Sequence, residues 1–421
     1  MDDFEWLGDR VDLLVRGGLV ITCVPREDDP IGRIEGGAVA IAGETILAVG
    51  REAELAASFD LSRARVLDAS GGVVAPGFVD SHTHLIFGGS RVQEYAARMT
   101  RSAAEVAAMG IPAGIQASMS MTRRASTEEL VQSAAGRVAG MLRHGTTTVE
   151  IKSGYGLTTA DEIRMLEAAR QLGASGPVDV VSTFLGAHDF PPEMPRADYV
   201  DLVVAEMIPA VAEAGLATFC DVYCDDGYYT VAQTRRILEA GMRHGLRPKI
   251  HVDAYSDIGG AGMAADLPVV SADHLNYTTP EAAARLAAAG VVGVVMPALD
   301  FAVRHPRPFD ARMLMAAGLP LALATDLCPG CWAESMQFVM QLACRLYRFS
   351  PEEALMASTV HGAASLGLAD RGTLAPGQLA DVQLWGVPTL EDVIYRLGNN
   401  AVRAVVKRGR VVEPAGPEQM T

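Results

Sequence analysis

Eight short apolar runs, each followed by a stretch of helical periodicity, constrain this chain more than any other feature. They are "GVVAPGFVDSHTH" (72–84), "TTTVEIKSG" (146–154), "VDVVSTFLGAH" (178–188), "FCDVYC" (219–224), "PKIHVDA" (248–254), "PVVSADHL" (268–275), "VVGVVMPA" (291–298) and "LPLALATDL" (319–327). A strand that is apolar along its whole length is covered on both faces, and the helices between the runs supply the cover. Eight βα units in about 260 residues close into a (β/α)8 TIM-like barrel of the α/β class. An open doubly wound sheet is the alternative.

The two ends read differently. Residues 9–70 hold "VDLLVRGGLVIT", "GGAVAIAGETILAVG" and "ARVLDASGG", and residues 372–415 hold "GTLAPGQLADVQLWG" and "AVRAVVKRGRVV". These are short β runs with Gly-rich turns, and neither end suffices alone. The expectation is a small β-sandwich domain built from both termini, residues 1–71 and 372–421, beside the barrel over 72–371. The chain has 421 residues, 49% of them hydrophobic, enough for a large core. Its formal net charge of −16 repels polyanions, so neither nucleic acid nor an anionic membrane is an expected partner. No run approaches about 18 uninterrupted apolar residues. The start, "MDDFEWLGDR", is acidic and has no signal-peptide pattern. Six cysteines in so long a chain do not form a disulfide framework, and a reducing cytoplasm is the expected location.

In such a barrel, chemistry sits at the C-terminal ends of the strands. The polar residues there are His82 and His84 on the first run, Lys152 with Tyr155 just beyond on the second, and His188 on the third. The fifth carries His251 and Asp253, the sixth Asp273 and His274, and the eighth Asp326. His144, His244, His305 and His361 lie in helical or loop context and read as ordinary. His82 and His84, two apart on a strand, point to one face. Alone, such a pair is a weak signal, more often a packed polar couple than a metal site. With His251 and Asp326 the set becomes three nitrogens and one carboxylate. It suits one divalent metal, zinc first, with iron or manganese as alternatives. Such a metal lowers the pKa of its water to about 7. Asp326 is then both ligand and proton acceptor, and His274 the group that polarises the attacked atom.

"PGFVDSHTHL", "HGTTTVEIKSGYGL", "VSADHL" and "ATD" resemble the amidohydrolase superfamily. "FGGSR" (87–91), "KSGYGL" (152–157), "VSTFLGAH" (181–188), "VSADHL" (270–275) and "ATDLCPG" (324–330) are similar to the imidazolonepropionase family within it. The resemblance covers nearly the whole barrel and continues through "GTLAPGQLADVQLW". It implies a single metal on His82, His84, His251 and Asp326, with proton transfer and polarisation by Asp326 and His274. It also implies substrate contacts from Arg91, Tyr155 and His188, Arg91 facing a propionate, and a homodimer common among related barrels. A guanidinium fork matches a carboxylate in its own right. Some superfamily members carbamylate a lysine after an early strand to bridge two metals, but the KSGYG context favours a structural role for Lys152.

Two departures fall near the reacting end. Where the family reads His-Ala-Asp-Glu, this chain has "HVDA", so Ala254 replaces a carboxylate. Where the family has asparagine before Pro-Gly, this chain has Cys328. Both make the pocket less polar. The expected substrate is therefore a C2-substituted ring such as 3-(5-oxo-2-thioxoimidazolidin-4-yl)propionate, from which water displaces sulfide. The alternatives are ordinary imidazolonepropionase chemistry, with Asp253, Asp225 or Asp257 replacing the glutamate, and a hydantoin-type cyclic amidohydrolase. A non-enzymatic scaffold is disfavoured because all four ligand types are retained. Cys328 and Cys331 form a CxxC without a second pair, so they read as pocket-lining or core residues, not a zinc ribbon.

Overall fold

The structure of the chain is a computed structural model and describes residues 10–412. The acidic first nine residues, and the outer parts of the expected small domain (1–9 and 413–421), lie outside the described residues.

Both ends of the chain build one eight-stranded sheet. Its strands are β1 (Leu13–Ile21), β2 (Arg33–Ala42), β3 (Thr45–Arg51), β4 (Arg65–Asp68) and β5 (Val73–Pro76) from the front. The barrel follows with β6 (Phe78–Asp80), β7 (Thr146–Lys152), β8 (Asp179–Ala187), β9 (Phe219–Cys224), the two-residue β10 (Arg247–Pro248), β11 (Ile250–Val252), β12 (Ser271–His274), β13 (Val292–Val295) and β14 (Leu321–Leu323). The chain then returns to the first sheet with β15 (Val382–Trp385), β16 (Val402–Lys407) and β17 (Arg410–Val412). The terminal sheet runs in the order β17-β16-β15-β5-β1-β2-β3, with β4 beside β1. Its strands form one connected ladder.

The first apolar run divides between the two sheets. Val73–Pro76 pairs with β15 and β1, and only Phe78–Asp80 belongs to the barrel. Gly77 lies at the switch, where a Cβ would come within 2.3 Å of the Thr147 hydroxyl. The other seven runs each contain a barrel strand. The barrel order is β6-β7-β8-β9-β11-β12-β13-β14, all parallel. Its seam closes just past the strand ends, where the Asp326 N–H donates to His82 O (3.1 Å) and the His84 N–H to Leu327 O (2.9 Å).

Local chemistry sets the alternation. The helices Thr127–Arg143, Thr159–Ser175, Val231–Arg243 and Pro280–Ala288 each open on a Ser or Thr whose hydroxyl accepts a first-turn N–H. Gly145, at φ +91°, ends the first of these and launches β7. No helix among the described residues is long and apolar enough to cross a membrane.

Candidate metal centre

His82, His84, His188, His251 and Asp326 meet at the C-terminal mouth of the barrel, each at most 6% exposed. The His82 and His251 rings are 4.5 Å apart, His82 and His84 5.4 Å, and His84 and His251 5.8 Å. Asp326 Oδ1 lies 3.6 Å from His84 Nε2 and 3.9 Å from His82 Nε2. Ligand atoms close enough to share one ion occur in His82/His84/Asp326, His84/His188/His251 and His82/His251/His274. The geometry thus brings His188 and His274 within ligand range of the four residues expected from the sequence.

The site is built with its polar atoms unsatisfied. His82 Nε2, His84 Nδ1, His251 Nε2 and Asp326 Oδ1 are buried without a hydrogen-bond partner. Buried polar atoms are otherwise almost always paired, so a convergent group of exceptions marks a place for an ion. Burial, helped by Lys152 at His82 and by His188 at His84, holds these imidazoles well below their usual range, in the neutral form a metal needs. Burial likewise pushes the Asp326 carboxyl up to about 7, against the pull of Lys152. Asp326 (φ +47°) and His274 (φ +83°) both occupy the left-handed region, a strain that accumulates at functional sites.

A charged layer lies directly beneath. The His82 Nδ1–H donates to Asp273 Oδ2 at 2.7 Å, which fixes its tautomer and turns Nε2 to the centre. Asp221 Oδ2 is 2.9 Å from His251 Nδ1, too far out of line for a good hydrogen bond, while Asp221 Oδ1 accepts the His251 backbone N–H. Lys152 Nζ contacts Asp221 (2.8 Å), Glu150 (3.1 Å) and Asp273 (3.3 Å), and Lys249 Nζ contacts Glu150 (2.8 Å). Glu150, Asp221 and Lys249 were missed by sequence reasoning. Their signal is charge inside apolar strands: Glu150 is two residues from Lys152, and Lys249 two from His251, each pair on one face.

Tyr155 packs 5.7 Å from His84 and 5.3 Å from His188, and burial keeps its hydroxyl protonated. His188 stacks on His84 at 4.9 Å and donates Nδ1–H to Gly154 O. The Arg91 fork is already engaged in part. Glu94 already takes Nε (2.6 Å) and Nη2 (3.1 Å), leaving Nη1 beside Gly330. Glu94, buried and also holding Arg98 and the Gly114 N–H, had no sequence signal. Arg91 and Gly330 line two cavities, of about 190 and 430 Å³.

Ala254 is buried, and its carbonyl accepts from His305 Nε2 at 2.9 Å, so His305 ties a neighbouring loop to the site. Cys328 and Cys331 exchange both backbone hydrogen bonds around Pro329–Gly330, and burial, then Asp326, pushes the Cys328 thiol up. The three carboxylates offered as substitutes for the absent glutamate each accept a loop hydrogen bond, but Asp253 Oδ1 stays buried without a partner. Asp253 accepts from Thr278 (2.7 Å), Asp225 from the Tyr255 N–H (2.8 Å), and Asp257 from the Gly259 N–H (2.8 Å).

Comparison with known proteins agrees with this architecture. The amidohydrolase family model matches residues 73–412. An imidazolonepropionase of Geobacillus kaustophilus is 44% identical, with 94% of each chain covered. One of Symbiobacterium thermophilum is 43% identical over 96% of this chain and 98% of its own. Among solved structures, a zinc-bound adenosine deaminase from Xanthomonas campestris matches with a TM-score of 0.72 at 19% identity, covering 95% of this chain and 92% of that one. An atrazine chlorohydrolase from Arthrobacter aurescens complexed with zinc matches at 0.67 and 20% identity, covering 95% and 94%. These two establish the fold alone. The chain is a hydrolase of the amidohydrolase family, of its imidazolonepropionase-like kind.

Proposed function

We propose that this enzyme hydrolyses a five-membered imidazolone-type ring carrying a propionate, by opening its amide bond or by attack at C2, with one divalent metal on His82, His84, His251 and Asp326. The observation that carries the reading is the meeting of His82, His84, His251 and Asp326 at the barrel mouth, with His82 Nε2, His251 Nε2 and Asp326 Oδ1 buried and unpartnered. Three imidazoles and a carboxylate suit zinc, iron(II) or manganese, and zinc is named in both structural neighbours. When bound, the ion supplies a water that ionises near neutral pH.

The chain's own groups do the rest. Asp326 takes the proton of the attacking water and delivers it to the departing ring nitrogen as the ring's amide C–N bond breaks. His274, whose pKa burial lowers to about 4, stays neutral and polarises the ring by a hydrogen bond. Arg91 presents Nη1 to the propionate with its fork braced by Glu94, and Tyr155 and His188 flank the ring. On this reading the substrate is the imidazolonepropionate named by the curated relatives.

Ala254 and Cys328 favour a second reading. Ala254 leaves no carboxylate at the glutamate's own position; Asp225 and Asp257 are committed to loops, and of the three only Asp253 keeps an unpartnered oxygen. The pocket then suits a soft substituent at C2. For 3-(5-oxo-2-thioxoimidazolidin-4-yl)propionate, water oxygen bonds C2, the C–S bond breaks, sulfide leaves, and the ring stays closed.

The test is kcat/KM on both compounds with metal-loaded protein, following ring opening for one and sulfide for the other. Preference for the plain imidazolone identifies an ordinary imidazolonepropionase; sulfide release with little ring opening identifies the second chemistry. Activity on neither sinks the proposal. Arg91→Ala should raise KM by about tenfold or more, the cost of about 1.4 kcal/mol of binding shared by ground and transition states. A normal KM removes Arg91 from the propionate.

A further inference from the structure

Lys152 is wholly buried, and its ammonium lies among Asp221, Glu150 and Asp273 at 2.8 to 3.3 Å. Two of these carboxylates reach the histidines of the proposed metal centre, Asp273 at His82 Nδ1 (2.7 Å) and Asp221 at His251 Nδ1 (2.9 Å). Donor atoms of His82/Glu150/Asp273 and of Asp221/His251/Asp273 also lie close enough to share an ion. The layer under the centre thus has the spacing of a second cation site, and the lysine ammonium stands among its carboxylates.

We infer that Lys152 is a positioning residue: its ammonium holds Asp273 against His82, and takes the place of a second metal in the layer below. The inference rests on the metal reading above. Three buried carboxylates repel one another; Lys249 also offsets that repulsion at Asp273, but of the three it makes direct contact only with Glu150, whereas Lys152 contacts all three. Without Lys152, Asp273 and Asp221 lose their shared cation and spread, and the His82 imidazole loses its hold on the carboxylate that orients it. Relief of the lysine's repulsion of the metal opposes this, but it acts across an intervening carboxylate and imidazole. The lost ion pair with Asp273 is direct, so the loss of orientation dominates.

The experiment is cobalt(II) binding to the full chain by chelator competition, together with the visible absorption of bound cobalt and metal counting. Wild type, Lys152→Met, Asp273→Asn and the double variant are compared, with thermal melting to show that each is folded. The wild type should bind one cobalt per chain. Lys152→Met should bind it 10- to 100-fold more weakly with a changed absorption envelope, the usual consequence of losing a group that orients a ligand. If Lys152 acts through Asp273, the double variant, which removes one charge of each sign, should be no weaker than the worse single variant. Fully additive losses in the double variant would overturn the inference. So would wild-type affinity and spectrum in Lys152→Met, or two metals in the wild type. If the Lys152→Met variant does not fold, Asp273→Asn against the double variant decides. Restoring Lys152 to the Asp273→Asn background should then leave affinity unchanged, and a clear gain in affinity overturns the inference. Absence of metal in the wild type would instead overturn the site reading itself.

Discussion

The two ends of the barrel carry charge in opposite ways. At the C-terminal mouth, His82, His84, His251 and Asp326 leave buried donor atoms without partners. At the other end Asp179, the first residue of β8, receives Arg371 (2.6 Å), Lys407 (2.9 Å) and Arg408 (3.1 Å). Lys407 also reaches Asp381 (2.6 Å), Arg408 reaches Glu44 (2.9 Å), and Arg371 reaches Asp370 (2.8 Å). These residues bind the terminal sheet to the barrel, and none of their side-chain atoms is buried without a partner. A charge cluster that holds structure completes its own bonds, whereas one that holds a ligand leaves them open. The contrast locates the site without reference to any relative.

Removing one charge from each end should therefore have opposite consequences. Asp326→Asn should cut kcat/KM by at least about 10²-fold, the lower end of what a positioned proton acceptor contributes, and ligand loss adds to that. The same variant, metal-free, should melt at or above the metal-free wild type near pH 8, because an unpaired buried charge is gone. A lower melting point would mean that Asp326 is paired after all. Asp179→Ala should cost about 3 kcal/mol in urea unfolding, since it leaves three cations facing each other at the domain junction. Its kcat/KM per folded molecule should stay near wild type. A normal unfolding midpoint would show that the junction is held by apolar packing alone.

The sequence foretold one end better than the other. The mouth was legible because histidines and aspartates at the ends of apolar strands have few structural reasons to be there. His82, His84, His188, His251, His274 and Asp326 all fall together as their positions suggest. The Asp179 cluster was not legible. Its cations come from Arg371, Lys407 and Arg408, more than 190 residues away, and no local periodicity encodes that meeting. The same limit explains β5. A continuous apolar run does not reveal that the chain changes sheets at Gly77, because both sheets bury it equally well. The small side chain of Ala254 gave a signal only by what it lacks, and Glu94 gave none, because an acidic residue three positions after Arg91 is an ordinary helix pair.

The smallest expected effect gives the sharpest contrast, because it reverses sign between the two ends. Burial alone would raise the Asp179 carboxyl, but Lys407, Arg408 and Arg371 together hold it at about 2. A carboxylate held low contributes stability above its unfolded value of about 4, and loses it as pH falls through the folded value. Asp179 should therefore stabilise the fold by about 2 kcal/mol above pH 4, with the loss spread between about pH 4 and pH 2. Asp326 runs the other way in metal-free protein. Burial raises it to about 7, so its charged form burdens the fold at neutral pH, and that burden lifts as pH falls from about 7 toward 4. Urea unfolding of metal-free wild type, Asp179→Asn and Asp326→Asn across pH 3 to 8 separates the two. The wild type's advantage over Asp179→Asn should shrink only below pH 4, and its deficit against Asp326→Asn should shrink between pH 7 and 4. Loading the wild type with metal should abolish the second difference and leave the first untouched, because only the open cluster has bonds left for a cation to make.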